Sequence, residues 1–173
     1  MLYITDENVT YVGVHVKRRN YEKYLQSGFE LSPAYFKTAM DYFRAKFQNV
    51  IFIVASDDQE WCKKNLQDKD VKFTRTFTYT PKLITESSYV DLTILVKCNH
   101  SIISFGSFGF WSAYLRPEGT TLFLNNEYQK AEINVYHINK YTKNTKWIPW
   151  NDPCVTKIDN KWKLFEENKD CIK

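Results

Sequence analysis

Val50-Ile51-Phe52-Ile53-Val54-Ala55 is an apolar run with no polar residue inside it, closed by Ser56-Asp57-Asp58. A segment that short, apolar on both pleat faces, reads as a strand covered on both sides. Such strands belong to sheets sandwiched between helices, so strand and helix should alternate on either side of the run. They do. Upstream, Tyr11 to Val16 (Tyr-Val-Gly-Val-His-Val) is a second β-rich run, and a polar loop from Lys17 to Leu31 separates it from a helix. Ser32 is placed to cap that helix, with Pro33 at its first position. Tyr35, Phe36, Ala39, Met40 and Phe43 recur at helical spacing and carry it to about Phe47.

Downstream, Ser56-Asp57-Asp58 begins a short helix holding Trp61 and Leu66. Val71 to Phe77 reads as a third strand, Thr80-Pro81 interrupts the pattern, and a helix is expected from about Ser87 to Cys98. Ser101 to Phe105 is a further strand. Gly106-Ser107-Phe108-Gly109 turns into a helix through Trp111, Tyr114 and Leu115, and Gly119 leads to a strand over Thr120 to Leu124. This alternation predicts an α/β fold, a doubly wound parallel sheet that is Rossmann-like in plan. Past Asn125 the periodicity fades. The organisation expected is one domain over 1–125 and a tail over 126–173 that packs on it.

Bulk properties narrow the function classes. The 24 basic and 20 acidic side chains are interspersed, with no block of five like charges, which argues against nucleic acid as a partner and against a basic membrane helix. No run of eighteen apolar residues is present, so no membrane segment is expected, and Met1 to Glu7 does not read as a signal peptide. Cys62, Cys98, Cys154 and Cys171 form no CxxC pair, so no metal site is expected. Cys154 and Cys171 are the pair placed for a disulfide, while Cys62 and Cys98 read as buried thiols. Sequons at Asn8 and Asn99 are compatible with a lumenal protein.

In doubly wound sheets, ligands bind outside the carboxyl ends of the strands. Three residue clusters fall there: His15, Lys17, Arg18 and Asn20; Ser56, Asp57 and Asp58; and Ser104, Gly106, Ser107 and Gly109 at a helix start. Cations, hydroxyls and a glycine-permitted approach to a helix N-terminus are what a diphosphate requires. Asp91, at the front of its expected helix, can accept hydrogen bonds from a base such as guanine. Each residue also has an ordinary reading. Lys17-Arg18-Arg19 can be a solvated loop, Asp57 and Asp58 helix caps, His15 a satisfied core histidine, and Asp91 a helix-terminal charge. What raises the functional reading is that the three clusters share one edge of the sheet.

Those residues also carry a family resemblance. Val12-Gly13-Val14-His15-Val16-Lys17-Arg18-Arg19-Asn20-Tyr21 resembles the VGVHVRRGDY segment of the galactoside α-1,2-fucosyltransferases. Ser56-Asp57-Asp58 through Glu60-Trp61-Cys62-Lys63 resembles their strand-to-helix stretch. Cys98-Asn99-His100 and Ile103-Ser104-Phe105-Gly106-Ser107-Phe108-Gly109-Phe110-Trp111 follow their CNH…IGTFGFW pattern, in the same order and spacing. The resemblance spans about residues 11 to 125. It implies the donor-binding half of a GT-B-type glycosyltransferase of family 11. Such an enzyme moves L-fucose from GDP-fucose to a galactose 2-hydroxyl of a glycan acceptor, with inversion, no metal and no further cofactor. It also implies a Golgi membrane enzyme of type II topology with a lumenal catalytic domain. By carry-over, His15 and Asp91 meet the guanine end, Lys17 and Arg18 hold the diphosphate, and Ser107 with the backbone at Gly106 completes the phosphate site.

Two positions depart from the family pattern. Lys17 stands where the family has the first arginine of its pair, keeping the charge but losing the two-pronged fork. Asn20 stands where it has aspartate and cannot take a proton as a carboxylate does, leaving Glu22 as the nearest carboxylate. These changes keep open a second class, a catalytically inactive paralogue or fragment that binds nucleotide or glycan as an interaction module. A dinucleotide-dependent oxidoreductase is disfavoured, because no GxGxxG follows the first strand.

Overall fold

The two apolar runs lie side by side. β1 (Thr10–Val16) pairs in parallel with β2 (Val50–Ser56), Val14 opposite Val54. On the other side of β1 runs β4 (His100–Ile103), followed by β5 (Gly119–Leu124) and β6 (Thr145–Trp150), while β3 (Val71–Phe73) lies outside β2. The computed structural model describes residues 8–19, 31–74, 81–125, 145–158 and 161–164, with backbone alone at 81–87, 155–158 and 161–164. Among these residues the main sheet is six-stranded and all parallel, in the order β3-β2-β1-β4-β5-β6. A small antiparallel pair, β7 (Val155–Ile158) and β8 (Lys161–Leu164), stands apart from it.

Parallel neighbours need crossovers, and four of the five run through helices: α1 (Pro33–Arg44), α2 (Gln59–Leu66), α3 (Pro81–Lys97) and α4 (Ser107–Tyr114); the fifth, from β5 to β6, passes through residues outside the described ones. From β1 the chain winds outward through β2 to β3, then returns to lay β4 against the free side of β1. The reversal opens the crevice between β1 and β4 where such sheets take their ligands.

Alternation along the strands decides the two faces. Val12, Val14 and Val16 of β1 join Phe52, Val54, Ile102, Leu122 and Leu124 against Tyr35, Phe36, Ala39, Met40 and Phe43 of α1 and Cys62 and Leu66 of α2. The opposite face gathers Ile103, Phe123 and Trp147 against Ala113 of α4. Tyr35 is fully buried and its hydroxyl donates to the Ile103 carbonyl at 2.8 Å, which fixes α1 to the end of β4.

Several expectations change. α3 begins at Pro81, about two turns ahead of Ser87, because the proline takes the first helical position instead of breaking the chain. Asp91 therefore sits in the body of α3, away from its N-terminus, and the helix-terminal reading of its charge lapses. The third strand ends at Phe73, the next residues from 75 lie outside the described ones, and the fourth strand begins one residue early and stops at Ile103. Ser32 precedes α1 but makes no capping bond. Its hydroxyl goes to buried Asp152 at 2.6 Å, and its N–H donates to the same carboxylate at 2.7 Å.

The sheet also continues past residue 125. β6 pairs with β5 from Thr145 to Trp150, and the Trp150 indole N–H donates to Thr38 of α1 at 3.1 Å. Cys62 and Cys98 are buried free thiols, as read. Cys154 is disulfide-bonded, and Cys171 lies outside the described residues.

Candidate functional site

Hydrogen bonds lace together the turns that follow β1, β2 and β4. Asp57, just past β2, accepts from the Arg18 N–H at 2.9 Å, from the Arg19 N–H at 3.2 Å and from Lys17 Nζ at 2.5 Å. Ser104, just past β4, is buried; its Oγ accepts from the Lys17 N–H at 2.9 Å, and its own N–H reaches the His15 carbonyl at 3.2 Å. An ionised carboxylate taking two backbone N–H groups and an ammonium is a strong tie. Lys17, Arg18, Asp57 and Ser104 thus form one assembly at the mouth of the crevice, as their clustering in sequence implied.

Within it the roles separate. Lys17 places its ammonium on Asp57, so that charge is matched inside the loop. Arg18 lays its guanidinium over Trp61 of α2, 4.1 Å from the ring centroid, and its Nη1 reaches the Leu31 carbonyl at 3.4 Å. Asp58 caps α2 by accepting from the Trp61 N–H at 3.1 Å, the ordinary use of an aspartate there.

Two residues past Ser104 the chain turns through Gly106 at φ +91°, a conformation that a side chain would strain. Gly106 is the N-cap of α4 and carries no capping side chain, so the first-turn amides of α4, from the exposed Ser107 onward, have no side-chain cap, and a helix start of that kind can take an anion. Next in the helix, Gly109 makes room for His15. A Cβ at 109 would stand 2.5 Å from His15 Nδ1. The imidazole is buried, lies 5.3 Å from the Phe108 ring and has no hydrogen-bond partner for Nδ1 among the described residues. Burial lowers its pKa to about 4, so it is neutral near pH 7 and can offer a hydrogen bond but no charge.

Asp91 stands apart from this assembly. It is half-buried on α3 and hydrogen-bonded to Thr74, the residue after β3. Desolvation raises its pKa, and the Thr74 bond partly offsets that. It belongs to the same carboxyl-end edge of the sheet, toward β3. Asn20 and Glu22 lie outside the described residues.

Sequence reasoning missed four participants. Trp61 reads as a core aromatic of a short helix, and only the fold lays it under Arg18. Leu31 acts through a backbone carbonyl, which leaves no trace in residue type. Gln59 and Thr74, which link α2 to Asp91, are polar residues without a motif.

Comparison with known proteins gives the arrangement its context. The model of Glycosyl transferase family 11 matches residues 1–151. Galactoside alpha-(1,2)-fucosyltransferase 1 of Sus scrofa is 38% identical over 126 residues, which cover 70% of this chain and 33% of that protein. Its Homo sapiens counterpart is 37% identical over 126 residues, with the same coverage of 70% and 33%. The chain thus spans about a third of the length of these relatives. Among solved structures, the fucosyltransferase NodZ from Bradyrhizobium is 17% identical over 72% of this chain and 41% of that one, at a TM-score of 0.44, a likeness too slight to extend the argument. A family match that runs from the first residue to just beyond β6 carries the whole parallel sheet with it: the chain belongs to glycosyltransferase family 11.

Proposed function

We propose that this chain is the donor half of a galactoside α-1,2-fucosyltransferase. It holds GDP-fucose at the crevice between β1 and β4 for transfer of L-fucose to the 2-hydroxyl of a galactose-terminated glycan. The observation that carries the reading is the joining of the post-β1, post-β2 and post-β4 turns through Lys17, Asp57 and Ser104, beside the glycine-capped start of α4. Family membership is what favours a sugar nucleotide as the ligand, and the Golgi lumen is the setting that the family resemblance implies.

In this reading Arg18 and the first-turn amides of α4 at Gly106 and Ser107 grip the diphosphate. Neutral His15 and Asp91 meet the guanosine end. Lys17 and Asp57 hold the loop that presents Arg18, and Asp58 and Ser104 fix the turns beneath. During transfer the galactose O2 bonds to fucose C1 from the face opposite GDP. The C1–O bond to the β-phosphate breaks, its electron pair stays with GDP, and the hydroxyl proton is released to water. The charge growing on the β-phosphate is where Arg18 and the helix N-terminus act, since fixed donors aimed at developing charge are the strongest catalytic device open to such a site. A guanidinium balances that charge without a metal ion or other cofactor.

Calorimetry with GDP and ADP tests donor binding, and GDP release from GDP-fucose with a β-galactoside acceptor tests transfer. GDP should bind at least tenfold more tightly than ADP. A chain that binds neither, or both alike, would end the proposal.

A further inference from the structure

A buried acceptor stands without a partner next to the acid assigned to the guanine end. Gln59, the first residue of α2, is 8% exposed, and its Oε1 has no hydrogen-bond partner among the described residues. Its Nε2 donates to Thr74 Oγ1 at 3.2 Å, and Thr74 is hydrogen-bonded to the Asp91 carboxylate. These bonds set the direction of the chain. The Gln59 nitrogen therefore faces Thr74, and Oε1 is the atom left over. Folded proteins seldom leave a buried carbonyl oxygen unpaired, and each instance asks for a cause.

The position supplies one. Gln59 follows β2 and Thr74 follows β3, so the group lies one to two strands outward from the β1 loop that carries Arg18. At the usual strand spacing that is about 5–10 Å, comparable with the reach from a diphosphate across ribose to the base. We propose that Gln59 is a specificity-determining residue for the nucleobase. Its Oε1 and the Asp91 carboxylate form a pair of acceptors matched to a purine edge that carries a ring N–H and an exocyclic amino group, and they disfavour an edge lacking that amine. The assignment rests on the donor-site reading above.

Calorimetry on the full chain with GDP and with inosine 5′-diphosphate, which lacks the 2-amino group, decides it. The native chain should bind GDP at least tenfold more tightly. Gln59→Met, close in volume but without the acceptor, should weaken GDP severalfold, leave the inosine nucleotide unchanged and so shrink the ratio at least threefold. Equal binding of the two nucleotides by the native chain overturns the Gln59 assignment while leaving the donor site standing, and needs no variant. A Gln59→Met protein in which both nucleotides weaken alike overturns it too, reducing Gln59 to a structural residue. If the native chain binds neither nucleotide, the donor reading falls and takes this one with it.

Discussion

Two arginines divide the edges of the main sheet between them. At the carboxyl-end edge, Arg18 lies over Trp61 on a loop tied down by Asp57. At the opposite edge, Arg116 is 3% exposed and donates to Ser101 Oγ, to Thr121 Oγ1 at 2.8 Å and to the Glu118 carbonyl at 2.7 Å. Those partners are neutral oxygens, and burial pulls the Arg116 pKa down to about 10. A cation enclosed among neutral oxygens is a fastener: it joins the starts of β4 and β5 at a desolvation cost, out of reach of ligands. A guanidinium set over an indole at the strand ends is placed to receive a phosphate at its rim. One residue type thus takes two roles, and burial together with partner charge separates them.

The sharpest way to break the comparison is to remove the fastener. Arg116→Met leaves two hydroxyls and a carbonyl without their donor and should cost about 3–4 kcal/mol of stability in urea unfolding, with GDP affinity of the folded protein unchanged. A loss of GDP affinity without loss of stability would invert the assignment.

Acid tests both edges together, because burial lowers the pKa of His15 at one and of His100 at the other to about 4. For each, the unfolded chain takes up its proton near pH 6.5, before the folded chain does near 4. The stability is therefore whole above about 6.5 and is lost as the pH falls toward 4. For His15 the span of 6.5 to about 4 corresponds to at most about 3 kcal/mol. In acid unfolding His15→Gln and His100→Gln should each flatten the loss, and only His15→Gln should also alter GDP binding.

Arg18→Lys keeps the charge at the ligand edge but removes the planar face and the fork. It should weaken GDP by about 2 kcal/mol in calorimetry while shifting thermal stability little. The smallest effect belongs to Trp61→Leu, which takes away the surface beneath the guanidinium and should weaken GDP by about 1 kcal/mol. If Trp61 acts through Arg18, its substitution in an Arg18→Lys background should add almost nothing.

Much of this plan is legible in the residues, and the gaps have physical causes. The apolar runs at Tyr11–Val16 and Val50–Ala55 could only be buried strands, and the doubly wound topology then put Lys17, Arg18, Asp57 and Ser104 at one edge. β6 escaped notice because Lys146 and Pro149 break its apolar pattern. It lies at the margin of the sheet, where a proline's missing N–H is tolerated. The start of α3 was hidden by Pro81 and by the polar stretch Thr85-Glu86-Ser87-Ser88, which reads as loop although proline opens helices well. Contacts such as Arg18 on Trp61, or Gln59 through Thr74 to Asp91, depend on where α2 and β3 settle in space, and no local pattern records that.

Asp152 has a practical consequence. Buried to 1% exposure, it receives the Ser32 N–H and hydroxyl and the Cys154 N–H, and Leu31 beside Ser32 offers the carbonyl that Arg18 touches. A stop codon at 125 would strip the outermost strand and unstitch the seam at the head of α1. Any shortened version made for nucleotide screening should therefore run well past Cys154, because a stop directly after it would also break the disulfide that Cys154 makes.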